Sequence, residues 1–307
     1  MANRNYRNKL QEVTIRGYKS IAYDTPVTLE LGDVNILLGA NGSGKSNIIS
    51  FFRMLSYMMS KSFGKYVETA GASNALLHYG AKKTPVMSGK LVFADTKSTD
   101  TYSFSLANAA PDRLIVTEEH IERHRTGEPK PYEVTLEPNF KESALVDSDD
   151  IVAKSIYQML ANCKVYQFHD TSAEGPLRQA CPIETSNYLQ SHGNNLPSFL
   201  LFLRDNYSES YERIVSYVHD VVPQFLDFYL EPSGKAISLR WMDNSATDYR
   251  FNAHQFSDGS IRFIALATLL LQPEQTMPRV IILDEPELGL HPYAITQLAE
   301  MIKDASL

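Results

Sequence analysis

Residues 39–46 carry the most specific chemistry in the sequence. They read GANGSGKS, which follows the spacing G-x-x-x-x-G-K-S. Glycines let the backbone curl closely, so that its N–H groups can point at phosphate oxygens. Lys45 can then reach the β and γ phosphates, and the hydroxyl of Ser46 is available to Mg²⁺. The pattern predicts a nucleotide-binding loop with these binding residues: Gly39, Asn41, Gly42, Ser43, Gly44, Lys45, Ser46 and Asn47.

An acid pair, Asp284 and Glu285, follows the apolar residues 280–283. The apolar residues predict a buried strand, and ligands bind at the carboxyl ends of strands in open α/β sheets. Asp284 is therefore a candidate ligand for Mg²⁺, directly or through water. Glu285 points in a different direction and can polarise an attacking water as general base. The alternative is a solvated pair before a proline turn, but the glycine-rich loop upstream favours catalytic roles for Glu285 and Lys45.

A serine-glycine turn at residues 256–260 reads FSDGS and precedes the apolar run IRFIALATLLL. Ser257 is a plausible N-cap for a helix that begins there, and the N-terminus of such a helix exposes backbone donors. Most helices begin with a residue of this type, so the turn is weak evidence by itself.

The glycine-rich loop needs a strand before it and a helix after it, and the sequence predicts both, at residues 34–38 and 48–59. Alternating patterns between turn residues predict an antiparallel meander after the helix. Further helices are expected at 147–163, 196–205 and 208–222. The expected strands are residues 12–17, 27–31, 90–94, 102–107, 114–120, 132–136, 165–168, 225–231, 236–241 and 249–251.

The bulk properties predict a globular protein of the cytoplasm. The chain has 307 residues, 43% of them hydrophobic and 21% charged, with a net charge of −7, which argues against a surface coated in basic groups for nucleic acid. A basic cluster of Arg4, Arg7 and Lys9 leaves DNA binding open, although a solvated tail is the favoured explanation. Two cysteines predict no disulfide framework, and no signal peptide or membrane-spanning stretch is visible.

The order of the three motifs resembles the RecF/SMC-type branch of ATP-binding-cassette ATPases. More closely, the chain is similar to small stand-alone bacterial AAA family ATPases related to the ATPase heads of OLD-family nucleases. Their opening strand corresponds to VTIRGYKSI at residues 13–21, and their middle region to FHDTS at 168–172 and to residues 189–199. The resemblance covers essentially the whole chain.

The resemblance implies an α/β fold. It is a P-loop NTPase head of ATP-binding-cassette type with a mixed or parallel core sheet, an antiparallel β subdomain and an inserted helical lobe. The expected division is residues 1–140 for the first part of the head, 141–255 for the insert and 256–307 for the last part of the head. The family's next strand and its switch residue would follow Leu307, so this last part is expected to be shortened.

The resemblance also implies a mechanism. Two heads pair head to tail, as a homodimer or within a higher homo-oligomer, and each ATP with its Mg²⁺ lies between residues 39–46 of one head and Ser257 and Gly259 of the other. Asp258 departs from the glycine of transporter ATPases. His291, within ELGLHP, could contact nucleotide or the partner, or could simply begin a helix. The family's Q-loop glutamine is left unassigned, since Gln158 and Gln167 are both poor candidates.

The predicted function is an ATPase switch for DNA maintenance or anti-phage defence that acts with a separate effector protein. The alternative is a nucleotide-gated dimeric scaffold with little hydrolysis, because the switch region is missing. A transporter subunit ranks below both, since Asp258 replaces glycine, and a GTPase ranks lower still, since no N-K-x-D motif occurs.

Overall fold

The computed structural model describes residues 8–306. The chain divides into two compact units, Met1–Lys164 and Val165–Leu307. Of the predicted basic cluster, Arg4 and Arg7 lie outside the described residues, and Lys9 is paired with Asp33 at 2.5 Å. The three-part division predicted from the sequence stays a prediction.

The first unit contains a six-stranded antiparallel sheet. Its strands, in chain order, are β1 (Lys9–Arg16), β2 (Val27–Glu30), β3 (Val86–Ala94), β4 (Ser98–Ala109), β5 (Arg113–Arg125) and β6 (Tyr132–Leu136). Their order in the sheet is β2-β1-β3-β4-β5-β6, so β3 to β6 form the meander that the alternating patterns predict. The antiparallel β subdomain is therefore present.

Four helices accompany this sheet: α1 (Lys45–Met59), α2 (Phe63–Thr69), α3 (Ala72–Leu76) and α4 (Ile151–Ala161). The glycine-rich loop leads directly into α1, so the packing of α1 positions the loop. Gly89 on β3 makes close packing possible, because a methyl group there would lie 2.5 Å from the ring of Phe104 and 2.9 Å from that of Phe51. The two rings stack with their centroids 6.1 Å apart, which holds α1 against the sheet.

The strand predicted at residues 34–38 is wrong. These residues have no regular secondary structure, and Ile36 and Leu38 are 76% and 88% exposed. A strand is stable only when a neighbour satisfies its backbone groups, and an apolar run does not supply that neighbour. Locally, the Asn35 amide bonds both the N–H and the C=O of Gly32 at 2.9 Å, which favours a turn over an extended ladder.

The second unit is built around a helix that is buried on all sides. Its helices are α5 (Leu196–Asn206), α6 (Ser208–Val221), α7 (Asp258–Leu270) and α8 (Pro292–Ser306). Every residue of α7 from Ile261 to Leu270 is buried, as expected for a helix that is apolar all round. Because Ser257 is the N-cap of α7, the packing of this helix fixes the position of the serine-glycine turn.

Short strands complete the second unit. The strand β13 (Val280–Leu283), which carries the acid pair at its end, pairs with β7 (Cys163–Tyr166), whose last two residues open this unit. A three-stranded sheet of β9 (Phe225–Phe228), β11 (Arg240–Asp243) and β12 (Ala246–Asn252) and a two-stranded pair of β8 (Cys181–Pro182) with β10 (Ala236–Ile237) make up the rest. None of the helices within residues 8–306 combines the length and the apolar character that a membrane span requires.

Candidate active site

The glycine-rich loop curls back over itself in the first unit. Gly42 and Gly44 have left-handed φ angles of +81° and +99°, which side chains with a Cβ rarely adopt. A methyl group at Gly39 would lie 2.7 Å from the hydroxyl oxygen of Ser43, so a larger residue there would displace the Ser43 side chain. The ammonium group of Lys45 donates to the carbonyl oxygens of Gly39 at 2.5 Å and Ala40 at 3.1 Å. Lys45 therefore lies across the loop, where its charge can meet a phosphate.

The N-terminus of α1 adds to this positive site. Gly44 is the N-cap, and no side chain caps the first turn of the helix. Uncapped N–H groups at a helix N-terminus attract anions. Asn47 donates to the hydroxyl of Ser20 at 2.6 Å, which ties the loop to the KSI segment of the opening strand region. Lys19 belongs to that segment, and its burial, together with the charge of Arg53, lowers its pKa.

The acid pair lies on a strained turn at the end of β13. The N–H of Asp284 still donates to the carbonyl of Tyr166 at 3.2 Å, so the strand pairing reaches the first acid. Glu285 has a left-handed φ of +43°, a conformation that costs about 1–2 kcal/mol for a residue with a Cβ. Pro286 follows, and a proline disfavours the right-handed helical conformation of the residue before it. Strain of this kind concentrates at functional sites.

Two side chains hold Asp284 in place. The amide of Gln167 donates to Asp284 Oδ2 at 2.9 Å, and the ring Nε2 of His169 lies 2.7 Å from the backbone carbonyl oxygen of Asp284. A carbonyl can only accept, so Nε2 of His169 carries the proton and Nδ1 is the acceptor, 3.5 Å from the Gln167 amide nitrogen. Gln167 thus touches the predicted metal ligand.

Gln167 therefore contacts the predicted metal ligand, while the identity of the Q-loop glutamine stays a prediction. Gln158, the other candidate, is exposed on α4 in the first unit. Sequence spacing does not distinguish the two, because the contact of Gln167 with Asp284 joins residues that are 117 positions apart. The FHDTS segment, which begins at Phe168, was the one local signal near Gln167.

An open cleft of about 750 Å³ in the second unit reaches these two side chains. Gln167 and His169 line it together with His192 and Asn195. Polar molecules can therefore approach the partners of the acid pair from solvent.

The serine-glycine turn is held by a buried arginine. The hydroxyl of Ser257 accepts from the N–H of Ser260 at 3.1 Å, which confirms the predicted N-cap of α7. Arg178 donates to the carbonyl of Phe256 at 3.1 Å and to the carboxylate of Asp258 at 2.9 Å. The aspartate that replaces the transporter glycine therefore has a specific partner in this chain.

His291 begins a helix. Its Nδ1 accepts from the backbone N–H of Tyr293 at 3.3 Å, in the first turn of α8, and its carbonyl accepts from the N–H of Ile295 at 3.1 Å. The structure thus shows His291 at the start of a helix, as one of the two predicted roles requires. Its contact with nucleotide or a partner stays a prediction.

The structure brings the predicted residues together in two groups. Residues 39–47 form the loop of the first unit, and the second unit joins the serine-glycine turn, the acid pair and the segment that ends at His291. That the glycine-rich loop and the acid pair face one triphosphate stays a prediction.

Each group offers oxygen donors of the kind that magnesium binds. Mg²⁺ prefers oxygen ligands and is commonly held by one or two protein groups together with substrate phosphates. The carboxylate of Asp284 and the exposed hydroxyl of Ser46 are donors of this type. Within residues 8–306, no cluster of three or more His, Cys, Asp or Glu side chains is arranged to hold a metal by itself.

Comparisons with known proteins agree with the motifs. Residues 178–307 match the family described as "AAA domain, putative AbiEii toxin, Type IV TA system". Among solved structures, the chain is similar to the SMC head bound to the C-winged helix domain of ScpA. The superposition covers 97% of this chain and 86% of the SMC head chain, with a TM-score of 0.57 and 16% sequence identity. No curated protein matches the sequence at a significant level.

These similarities support a nucleotide-binding ATPase. At 16% identity the SMC head establishes the fold, and the family match covers the carboxyl-terminal part, residues 178–307. The resemblance predicted from the order of the motifs is therefore confirmed: the chain has the P-loop NTPase fold of an SMC-type ATP-binding-cassette head, and its residues 178–307 match an AAA-domain family.

Proposed function

We propose that this protein binds and hydrolyses ATP as a head-to-tail homodimer. The observation that carries the proposal is the placement of Lys45 across the glycine-rich loop, onto the carbonyls of Gly39 and Ala40, beside the uncapped start of α1. Backbone donors, a lysine and a helix N-terminus are what a triphosphate requires. The serine-glycine turn of the second chain, with Ser257 and Gly259, covers the γ phosphate.

Hydrolysis needs a base near the γ phosphate, and Glu285 supplies it. Its carboxylate takes a proton from water as the water oxygen attacks phosphorus, and the bond to the leaving ADP breaks. Lys45 neutralises charge on the transferring phosphoryl group. Asp284 and Ser46 would hold Mg²⁺, which supplies positive charge that the phosphate oxygens need. Gln167 orients the Asp284 carboxylate through its 2.9 Å hydrogen bond.

We extend this proposal to the biological role. ATP binding closes the dimer and hydrolysis opens it, so that the second unit reports the nucleotide state to a separate effector protein. Support for an effector comes from the similar SMC head, which was solved with a domain of another protein bound. Anti-phage defence and DNA maintenance are the roles that the family resemblance favours.

The experiment is phosphate release by a Glu285→Gln protein. We expect turnover to fall by about 10²–10⁴-fold, which is the usual contribution of a general base, while ATP binding persists. Glu300→Gln is the matched control, since Glu300 is an exposed acid on α8. If the Glu285→Gln protein releases phosphate at the wild-type rate, the assignment of the base is rejected. If the wild-type protein does not bind ATP, the proposal as a whole is rejected.

A further inference from the structure

Arg262 is buried inside the second unit and bonds to backbone carbonyls of two separate segments. Its side chain projects from α7, and the residue is 5% exposed. The guanidinium donates to the carbonyls of Phe168 at 2.9 Å, His169 at 3.1 Å and Leu288. Burial lowers the pKa of Arg262, although the charge of Asp258 opposes this shift. A buried cation is costly unless its donors are satisfied, and these three carbonyls satisfy it.

Both segments that Arg262 contacts are hydrogen-bonded to the acid pair. The first contains His169, whose ring donates to the carbonyl of Asp284 at 2.7 Å. The second contains Leu288, whose N–H donates to the carbonyl of Glu285 at 3.2 Å. Arg262 is thus one hydrogen bond removed from each member of the acid pair, on two independent routes.

The serine-glycine turn packs against the backbone beside Arg262. A methyl group at Gly259 would lie 2.5 Å from the carbonyl oxygen of Gly289, so the turn and this backbone are in close contact. A methyl group at Gly289 would in turn lie 2.7 Å from Nη1 of Arg262. Movement of the turn therefore acts on Arg262 and its neighbours.

The strained backbone of Glu285 is the part of the acid pair on which such a movement acts. Glu285 is held at a left-handed φ of +43°. Because Pro286 disfavours a right-handed helical conformation, a released Glu285 relaxes to extended backbone, and its carboxylate then points elsewhere. The bonds of His169 and Leu288 to this turn oppose that relaxation.

We propose that Arg262 is a positioning residue that couples the serine-glycine turn, which meets the ATP of the partner chain, to the acid pair that hydrolyses the ATP of its own chain. The inference rests on the proposed head-to-tail dimer. Its consequence is cooperativity: ATP at one site sets the Glu285 turn at the other, so both sites hydrolyse together. Coupling of this kind is a free energy shared between two sites and is reciprocal.

The test uses two variants that disturb the same contact from opposite sides. Arg262→Lys keeps the charge but cannot reach three carbonyls, and Gly289→Ala pushes a methyl group against Nη1. We measure the ATP dependence of phosphate release and, in a Glu285→Gln background, ATP affinity. Wild type should show a Hill coefficient above 1. Each variant should lose about 10–10²-fold in kcat, as expected for misplaced catalytic groups, and its Hill coefficient should fall to 1, with ATP affinity changed less than about threefold.

Two controls match these variants. Arg213→Lys alters an exposed arginine of α6 that pairs with Asp304, and Gly234→Ala strains a glycine of φ +64° that has open space around it. Both should keep the wild-type kcat and Hill coefficient. A wild-type Hill coefficient of 1, or unchanged kcat and Hill coefficient in either folded variant, would overturn this inference alone. Absence of ATP binding in the wild type would overturn the proposed function and this inference with it.

Discussion

The side-chain amide of Gln167 lies 2.9 Å from the carboxylate Oδ2 of Asp284. An amide can donate to a carboxylate without competing for its charge, so Gln167 fixes the direction of Asp284 and leaves the other oxygen for a metal. His169 fixes the backbone of the same residue at 2.7 Å. The two contacts pre-orient Asp284 for the metal-binding role proposed for it.

Removal of the Gln167 amide should therefore weaken the use of magnesium. We expect Gln167→Ala to lower either apparent Mg²⁺ affinity or kcat by about 10–100-fold, the range for groups that orient metal ligands. The measurement is phosphate release as a function of Mg²⁺ concentration at saturating ATP. Gln158→Ala is the control, because Gln158 is exposed on α4, and equal effects of the two substitutions would contradict the role of Gln167.

Arg178 should matter mainly for stability. Its guanidinium bonds three carbonyls, those of Thr171, Ala253 and Phe256, and also pairs with Asp258. Arg178→Met leaves these acceptors without a donor, so we expect the free energy of unfolding to fall by on the order of 3 kcal/mol in urea denaturation. Asp258→Asn should change it by less than about 1 kcal/mol, because the Asp258 side chain is 71% exposed. An Arg178→Met protein as stable as the wild type would refute this role.

Two glycines of the first unit should respond to alanine with opposite signs. At Gly89 a methyl group would lie 2.5 Å from the Phe104 ring, so Gly89→Ala should destabilise by about 1–3 kcal/mol through overpacking. At Gly64, within α2, nothing lies within 4 Å of the added methyl group, so Gly64→Ala should stabilise by about 0.5–1 kcal/mol. Thermal unfolding measures both, and a Gly89→Ala protein as stable as the wild type would show that Gly89 does not control the packing of α1.

Local chemistry explains which parts of the fold could be predicted. The Ser257 N-cap and α7 follow from a hydroxyl beside an apolar run, and the structure has both. The helix expected from residue 147 begins at Ile151 instead, because the Asp150 carboxylate accepts from Val152 N at 2.8 Å and Ala153 N at 2.9 Å. A cap fixes the start of a helix more sharply than hydrophobic periodicity does.

Contacts between distant residues explain the rest. Residues 34–38 have the composition of a strand, but pairing depends on a neighbour that composition does not reveal. The contacts of Arg262 and Gln167 with backbone and carboxylate groups far along the chain are invisible to motif spacing for the same reason. Motifs therefore identify the candidate reacting groups, whereas the residues that contact them appear only in the folded chain.

The central claim is that the glycine-rich loop and the acid pair bind one metal-bound triphosphate. A double-mutant cycle on Ser46→Ala and Asp284→Asn tests it most directly, with Mg²⁺-dependent ATP affinity measured in a Glu285→Gln background. If both residues hold the same ion, each single change weakens binding and the double change costs little more, a coupling of at least about 1 kcal/mol. Losses that add within about 0.5 kcal/mol would place the two residues at independent sites and contradict the account.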